Sequence, residues 1–183
     1  MTRRSPRLLV IMAILALLSL TACSSPTSPA AEPDGAAADL EFVRSMLVEH
    51  SRGLELARIA IARTSYLDMM EFATTIAATQ AAEVEQLRTW LAARGRQDAD
   101  PTLDPGVGRL SETQRQALDA VKGLQFDNVW MPMMVEQLRG SVEVARAEID
   151  HGRDPALVAL ARTIATTQQQ QADGIHRIEE VPS

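Results

Sequence analysis

The sequence predicts an all-α protein, an antiparallel four-helix bundle made of two copies of one helical hairpin with a short connecting helix between them. Composition gives the first indication, because only 3% of the 183 residues are aromatic while good helix formers such as Ala, Leu, Glu, Gln and Arg dominate. Apolar residues also recur at helical spacing after residue 39. An internal repeat is the third observation.

The repeat has a fixed offset of 88 residues and needs no gap. Residues 75–80 read TIAATQ and residues 163–168 read TIATTQ, while Met46 corresponds to Met134. Such self-similarity indicates one duplicated supersecondary unit. We therefore predict hairpins at 39–94 and 127–178, joined by a connector at 95–126, in a bundle spanning 39–178. Short loops within each hairpin make its two helices antiparallel neighbours.

Local signals indicate where the helices begin and end. Asp39 is the predicted N-cap of the first hairpin, and Asp127 opens the second. The other signals are capping boxes at Ser65–Asp68 and Ser111–Gln114, helix ends at Gly95 and His151–Gly152, and an N-cap at Asp154 followed by Pro155. Ser111 opens the predicted short connecting helix.

The N-terminus has the pattern of a bacterial export signal. A basic segment, MTRRSPR, precedes the apolar run LLVIMAILALLSL, which is shorter than the ~20 residues that a membrane-spanning helix needs. The next residues, LTAC, resemble a lipobox, in which the cysteine is lipidated and cleavage occurs just before it. We predict a signal peptide at 1–22, and lipidated Cys23 with a Ser/Pro/Ala-rich tether at 23–38.

Several polar residues fall on the predicted inner helix faces. Gln80 and its repeat mate Gln168 lie on apolar stripes, which predicts a buried polar core at these positions. Glu49, His50 and Glu83 are close enough on facing helices to converge with Gln80. Imidazole and carboxylate groups that meet in a bundle build either a metal site or a satisfied hydrogen-bond network, and both alternatives stay open here.

Methionines add a second set of candidate ligands. Met46 lies one helical turn before His50, and the segment WMPMM contributes Met131 and Met134. Thioether groups bind copper, although methionine at helical spacing is more often core packing.

These residues resemble the signature of the domain of unknown function 305 family, a group of ferritin-like helical proteins. The family pattern is similar to Met-x-x-His-His-x-x-Ala-x-x-Met-Ala followed by Gln-x-x-Glu and Trp-Leu, commonly in two copies. The first copy here has Met46, Glu49, His50, Leu56 and Ala57, followed by the residues Gln80, Glu83, Trp90 and Leu91. The second has Met134, Gln137, Leu138, Gln168 and Gln171. The resemblance implies a ferritin-like bundle and, from members linked to copper, a site that keeps only one of four histidines.

We therefore expect a non-enzymatic, membrane-anchored lipoprotein on the extracytoplasmic side, with a helical binding domain. The alternative is a copper or other transition-metal protein using Met46, Glu49, His50, Glu83, Met131 and Met134. Expected partners are the membrane, through the lipid, and an envelope protein or a second copy of the chain. A formal net charge of −6 argues against nucleic acid, which requires a basic surface.

Overall fold

Good helix formers and few helix-breaking residues give five α-helices within the part of the chain that the computed structural model describes, residues 34–179. They are α1 (Asp34–Arg63), α2 (Leu67–Ala93), α3 (Glu112–Asp119), α4 (Leu124–His151) and α5 (Pro155–Glu179). Two short 3-10 turns, Gln97–Ala99 and Pro101–Leu103, lie between α2 and α3. The predicted all-α bundle is confirmed, with α3 as its short connecting helix.

The four long helices pack in the order α2, α1, α4, α5. The closest pairings are α1 with α2, α1 with α4, and α4 with α5. The two hairpins, α1–α2 and α4–α5, therefore meet through α1 and α4. None of the helices within 34–179 is long and apolar enough to cross a bilayer.

Buried apolar side chains form two clusters along the bundle. The first apolar cluster lies towards the start of α1 and includes Phe42, Met46, Leu87, Leu91, Leu157 and Ile164. The second apolar cluster lies towards the start of α4 and includes Leu56, Ile76, Phe126, Trp130, Met134 and Ile175. Each cluster takes residues from all four long helices, so burial of both stabilises the association of the hairpins.

Several predicted helix boundaries are confirmed. Ser111 and Gln114 form a reciprocal capping box at the start of α3. Asp154 caps α5, because its Oδ1 accepts hydrogen bonds from the backbone amides of Ala156 (2.9 Å) and Leu157 (3.2 Å). Gly95, just past the end of α2, has φ 63°, a left-handed conformation that glycine adopts without strain.

The N-cap predicted at Asp39 is wrong. Helix α1 already begins at Asp34, so residues 34–38 belong to the helix and not to the tether predicted at 23–38. The segment Ala36–Ala38 explains this, since alanine has the highest helix propensity. The rest of that tether, the signal peptide at 1–22 and Cys23 lie outside the described residues.

Two other predicted helix starts are also wrong. Helix α4 begins at Leu124, directly after Gly123 with φ 56°, so Asp127 lies inside the first turn. Helix α2 begins at Leu67 after Tyr66, and no side chain caps it there. The hydroxyl of Thr64 instead accepts a hydrogen bond from the Tyr66 amide (3.1 Å), which gives this amide a partner within the turn before α2.

Candidate functional site: a buried polar layer

Between the two apolar clusters, polar side chains from all four long helices meet in the middle of the bundle. Every member of this buried polar layer is at most 7% exposed. Its members are His50, Gln80, Glu83, Gln137, Ser141, Gln168 and Gln171. Buried polar groups require partners, so the contacts within the layer determine its chemistry.

The shortest contact in the buried polar layer joins α1 to α2. The Nε2 atom of His50 lies 2.7 Å from Oε2 of Glu83, and the two residues are 0% and 4% exposed. The atoms are close but not aligned as a regular hydrogen bond. Gln168 on α5 donates its Nε2–H to the same carboxylate oxygen at 3.3 Å. Glu83 thus connects helices of both hairpins.

A second set of contacts connects α2, α4 and α1. Gln80 Nε2 donates to Gln137 Oε1 at 3.0 Å. Gln137 Nε2 in turn donates to Ser141 Oγ at 2.9 Å and to the backbone carbonyl of Glu49 at 3.0 Å. Gln80 and Gln168 therefore both lie inside the bundle, as polar core residues, and each bonds a side chain of the other hairpin.

Gly53 makes room for these amides on α1. A Cβ atom at this position would lie 2.1 Å from Gln80 Oε1 and 2.6 Å from Gln137 Oε1. Any larger residue would displace both side chains from their hydrogen bond.

Other atoms of the buried polar layer have no hydrogen-bond partner among the described residues. They are His50 Nδ1 and the Oε1 atoms of Gln80, Gln168 and Gln171. Such atoms can be satisfied by internal water or by a bound cation. Imidazole nitrogen, carboxylate oxygen and amide oxygen suit a borderline or hard metal.

The structure does not bring Glu49 to the His50–Glu83 pair. Its side chain lies towards Arg52, with Oε1 3.3 Å from Nη1, and close to Gly140 of α4. Burial raises the pKa of Glu49, and the Arg52 guanidinium partly opposes that shift. Within residues 34–179, no three His, Cys, Asp or Glu side chains are grouped so that they could hold a metal ion.

The candidate methionine ligands are divided between the two apolar clusters. Met46 belongs to the first apolar cluster and is fully buried. Met131 and Met134 belong to the second, at 5% and 0% exposure. The buried polar layer lies between them, so the three thioethers do not form one group. Apolar packing accounts for all three positions.

A second buried carboxyl group, which the sequence did not indicate, lies where α1 meets the α4–α5 turn. Asp39 accepts hydrogen bonds from the backbone amides of Arg153 (2.7 Å) and Asp154 (3.1 Å). Beside it, Glu148 is 1% exposed, and no described residue donates a hydrogen bond to either carboxylate oxygen. Burial, followed by the neighbouring carboxyl of Asp39, raises the pKa of Glu148 to about 8.

The fold and this site define a class of protein, an all-α bundle of duplicated hairpins with a polar layer across its core. The sequence profile of the family called domain of unknown function (DUF305) matches residues 39–179. The chain therefore belongs to the DUF305 family, and the resemblance seen in its motifs is confirmed.

Two solved structures of this family have a similar fold. One is a protein from Streptomyces coelicolor described as secreted, with 24% identity and a TM-score of 0.69 over 77% of this chain and 91% of its own. The other is a DUF305 fragment from Deinococcus radiodurans, with 23% identity and a TM-score of 0.69 over 80% of this chain and 97% of its own. A comparison with curated proteins gives no significant match.

Proposed function

We propose that the protein is an extracytoplasmic lipoprotein, anchored through Cys23, whose helical bundle is a non-enzymatic binding domain. The anchor is inferred from the order of the basic segment, the apolar run and LTAC. The folded bundle starts at Asp34, which leaves residues 24–33 as a spacer from the membrane. The relative from Streptomyces coelicolor, described as secreted, supports the same side of the membrane.

One observation supports binding over catalysis. The ionisable groups of the buried polar layer, His50 and Glu83, are 0% and 4% exposed and lie between two apolar clusters. A catalytic acid or base must come within hydrogen-bond reach of its substrate, and enclosure of this kind prevents that. The outer surface of the bundle is then the functional surface, and its partner is an envelope protein or a second copy of the chain.

The anchor is tested by replacing Cys23 with alanine in a bacterial host. We expect the natural protein to incorporate labelled palmitate and to fractionate with membranes. Cys23→Ala should lose the label, because the thiol that accepts the diacylglycerol is gone. Ser24→Ala, one residue away, is the matched control and should keep it. Equal labelling of the cysteine variant and the control would contradict the proposal.

A copper-binding function is the alternative, and the His50–Glu83 contact favours it. An imidazole and a carboxylate meet at 2.7 Å, and unpartnered amide oxygens lie in the same layer. These donor types fit a transition metal in part, with Met46 one turn from His50 as the nearest thioether in sequence. If metal binds, His50 and Glu83 hold it and the apolar clusters exclude bulk water.

Titration with Cu(I) against a competing chelator tests this alternative. The metal hypothesis predicts that His50→Ala weakens binding by tenfold or more. His151→Ala provides the control, because His151 is exposed at the end of α4, far along the helix from the buried polar layer. No competition with the chelator, or equal weakening by both substitutions, would reject a buried copper site.

A further inference from the structure

A cleft between α1, α2 and the loop after the 3-10 turns concentrates positive charge in an acidic protein. Its volume is about 450 Å³, within the range of small-molecule sites. Two acidic residues, Glu55 and Asp104, also line it. Four arginines line the cleft, although the chain has a formal net charge of −6: Arg58, Arg63, Arg88 and Arg109.

Two of these arginines are held by the surrounding structure. Arg88 donates from Nε to Asp100 Oδ2 at 2.9 Å and from Nη2 to Thr102 Oγ1 at 3.2 Å. Burial alone would raise the pKa of Asp100, but the hydrogen bonds from Thr102 and Arg88 lower it. Arg63 donates to the carbonyls of Leu118 (2.9 Å) and Val121 (2.8 Å). These contacts attach the connector to the bundle and shape the cleft wall.

The acidic residues of the cleft are engaged elsewhere. Glu55 accepts from Arg115 Nη1 at 2.7 Å and from the Leu110 amide at 3.0 Å. Asp104 accepts from the amide of Gly106 at 3.0 Å, as in an Asx-turn. Arg115 largely offsets the charge of Glu55, as Asp119 offsets Arg63 and Asp100 offsets Arg88.

Arg58 and Arg109 are the two remaining cations of the cleft. Both are exposed, and no carboxylate among residues 34–179 forms an ion pair with either. The adjoining Gly108 has φ 69°, and a Cβ there would lie 2.7 Å from Ser51 Cβ. This close approach holds the Arg109 segment against α1, which carries Arg58. Arg58 and Arg109 therefore line the same cleft from different elements.

We propose that this cleft binds a phosphate-bearing ligand through Arg58 and Arg109. Guanidinium groups form paired hydrogen bonds with phosphate oxygens, and two of them can offset the one negative charge of a phosphate diester or the two of a monoester. The volume of about 450 Å³ exceeds that of a phosphate ion, so the cleft has room for a further polar moiety such as glycerol or a sugar. The inference rests on the proposed function of the bundle as a binding domain, and it names the class of ligand.

Calorimetric titration of the full-length protein in non-ionic detergent tests the proposal with two soluble probes. Glycerol 3-phosphate represents a free phosphorylated metabolite, and glycerophosphoglycerol represents the headgroup of an anionic lipid. We expect saturable binding of at least one probe. Arg58→Ala and Arg109→Ala should each raise the Kd by tenfold or more. Arg162→Ala, an exposed arginine on α5 away from the cleft, should leave the Kd unchanged.

The pattern of binding identifies the source of the phosphate. Binding of glycerol 3-phosphate alone assigns a soluble metabolite, and binding of glycerophosphoglycerol alone or of both assigns a headgroup-like ligand. Absence of binding by both probes, or equal weakening by all three arginine substitutions, would overturn the proposal. Palmitate labelling of Cys23 is measured separately, so failure of the cleft and failure of the anchor are distinguishable.

Discussion

Replacing His50 with leucine is expected to lower the free energy of unfolding by about 3–5 kcal/mol, because removing one member of a buried pair leaves the other uncompensated. Glu83 is 4% exposed, and its Oε2 contacts His50 Nε2 at 2.7 Å. Without the imidazole, its nearest donor is the amide of Gln168 at 3.3 Å. Chemical denaturation at neutral pH, followed by circular dichroism, measures the loss.

The second repeat of the same chain supplies the matched control. At the offset of 88 residues, Leu138 stands in the place of His50 and Gln171 in the place of Glu83. The double variant His50→Leu/Glu83→Gln therefore reproduces a combination that this fold already accommodates. It should recover much of the stability that His50→Leu loses, since a glutamine at position 83 can both donate and accept hydrogen bonds in place of the carboxyl group left without the imidazole. A double variant no more stable than His50→Leu would show that the imidazole acts through packing alone.

The parts of the fold that could be predicted from sequence are those with local or periodic signals. The 3.6-residue spacing places Gln80 and Gln168 on apolar faces, and the structure buries both completely. The capping residues Ser111 and Asp154 lie within three residues of the amides they bind, so their positions could be identified along the chain.

Contacts between distant segments could not be predicted in the same way. Aspartate is a residue type favoured at N-caps, yet the carboxylate of Asp39 accepts hydrogen bonds from the backbone amides of Arg153 and Asp154, more than 100 residues later. Nothing near Asp39 in the sequence indicates that partner.

The candidate site shows the same limit. Glu49 and His50 are adjacent in sequence, but on a helix they point about 100° apart, and the way the helices pack decides which one faces the centre. His50 turns towards Glu83, and Glu49 lies towards Arg52. Gln137, whose partners lie on α1, α2 and α4, joins the buried polar layer because the two hairpins meet through α1 and α4.

Glu148→Gln is expected to stabilise the protein at alkaline pH and to remove much of its pH dependence. The pKa of Glu148 is raised from 4.5 to about 8 in the folded state, first by burial and then by the Asp39 carboxyl. Two neighbouring carboxylates repel each other, whereas a proton on Glu148 allows it to donate a hydrogen bond to Asp39. Glutamine is nearly the same shape and has a permanent donor, so its amide should make that bond at every pH.

The direction of the effect follows from proton linkage. Between pH 4.5 and 8 the folded state keeps a proton on Glu148 that the unfolded chain releases, so stability falls as the pH rises through this window. The free energy of unfolding falls by at most about 1.4 kcal/mol per pH unit. It levels off above pH 8, because Glu148 is then ionised in both the folded and the unfolded state. At pH 8 we expect the free energy of unfolding of Glu148→Gln to exceed that of the natural protein by about 2–5 kcal/mol.

Thermal or chemical unfolding at several pH values between 5 and 9 measures how the stability of the natural protein and of Glu148→Gln depends on pH. Glu143→Gln is the control, because Glu143 is exposed on the same helix and its substitution makes the same change in net charge. Its curve should run parallel to that of the natural protein. If Glu148→Gln also ran parallel to it, the carboxyl pair at the α1 contact would be ionised throughout. The backbone amides that Asp39 binds, together with the start of α5, would then have to offset two adjacent buried negative charges.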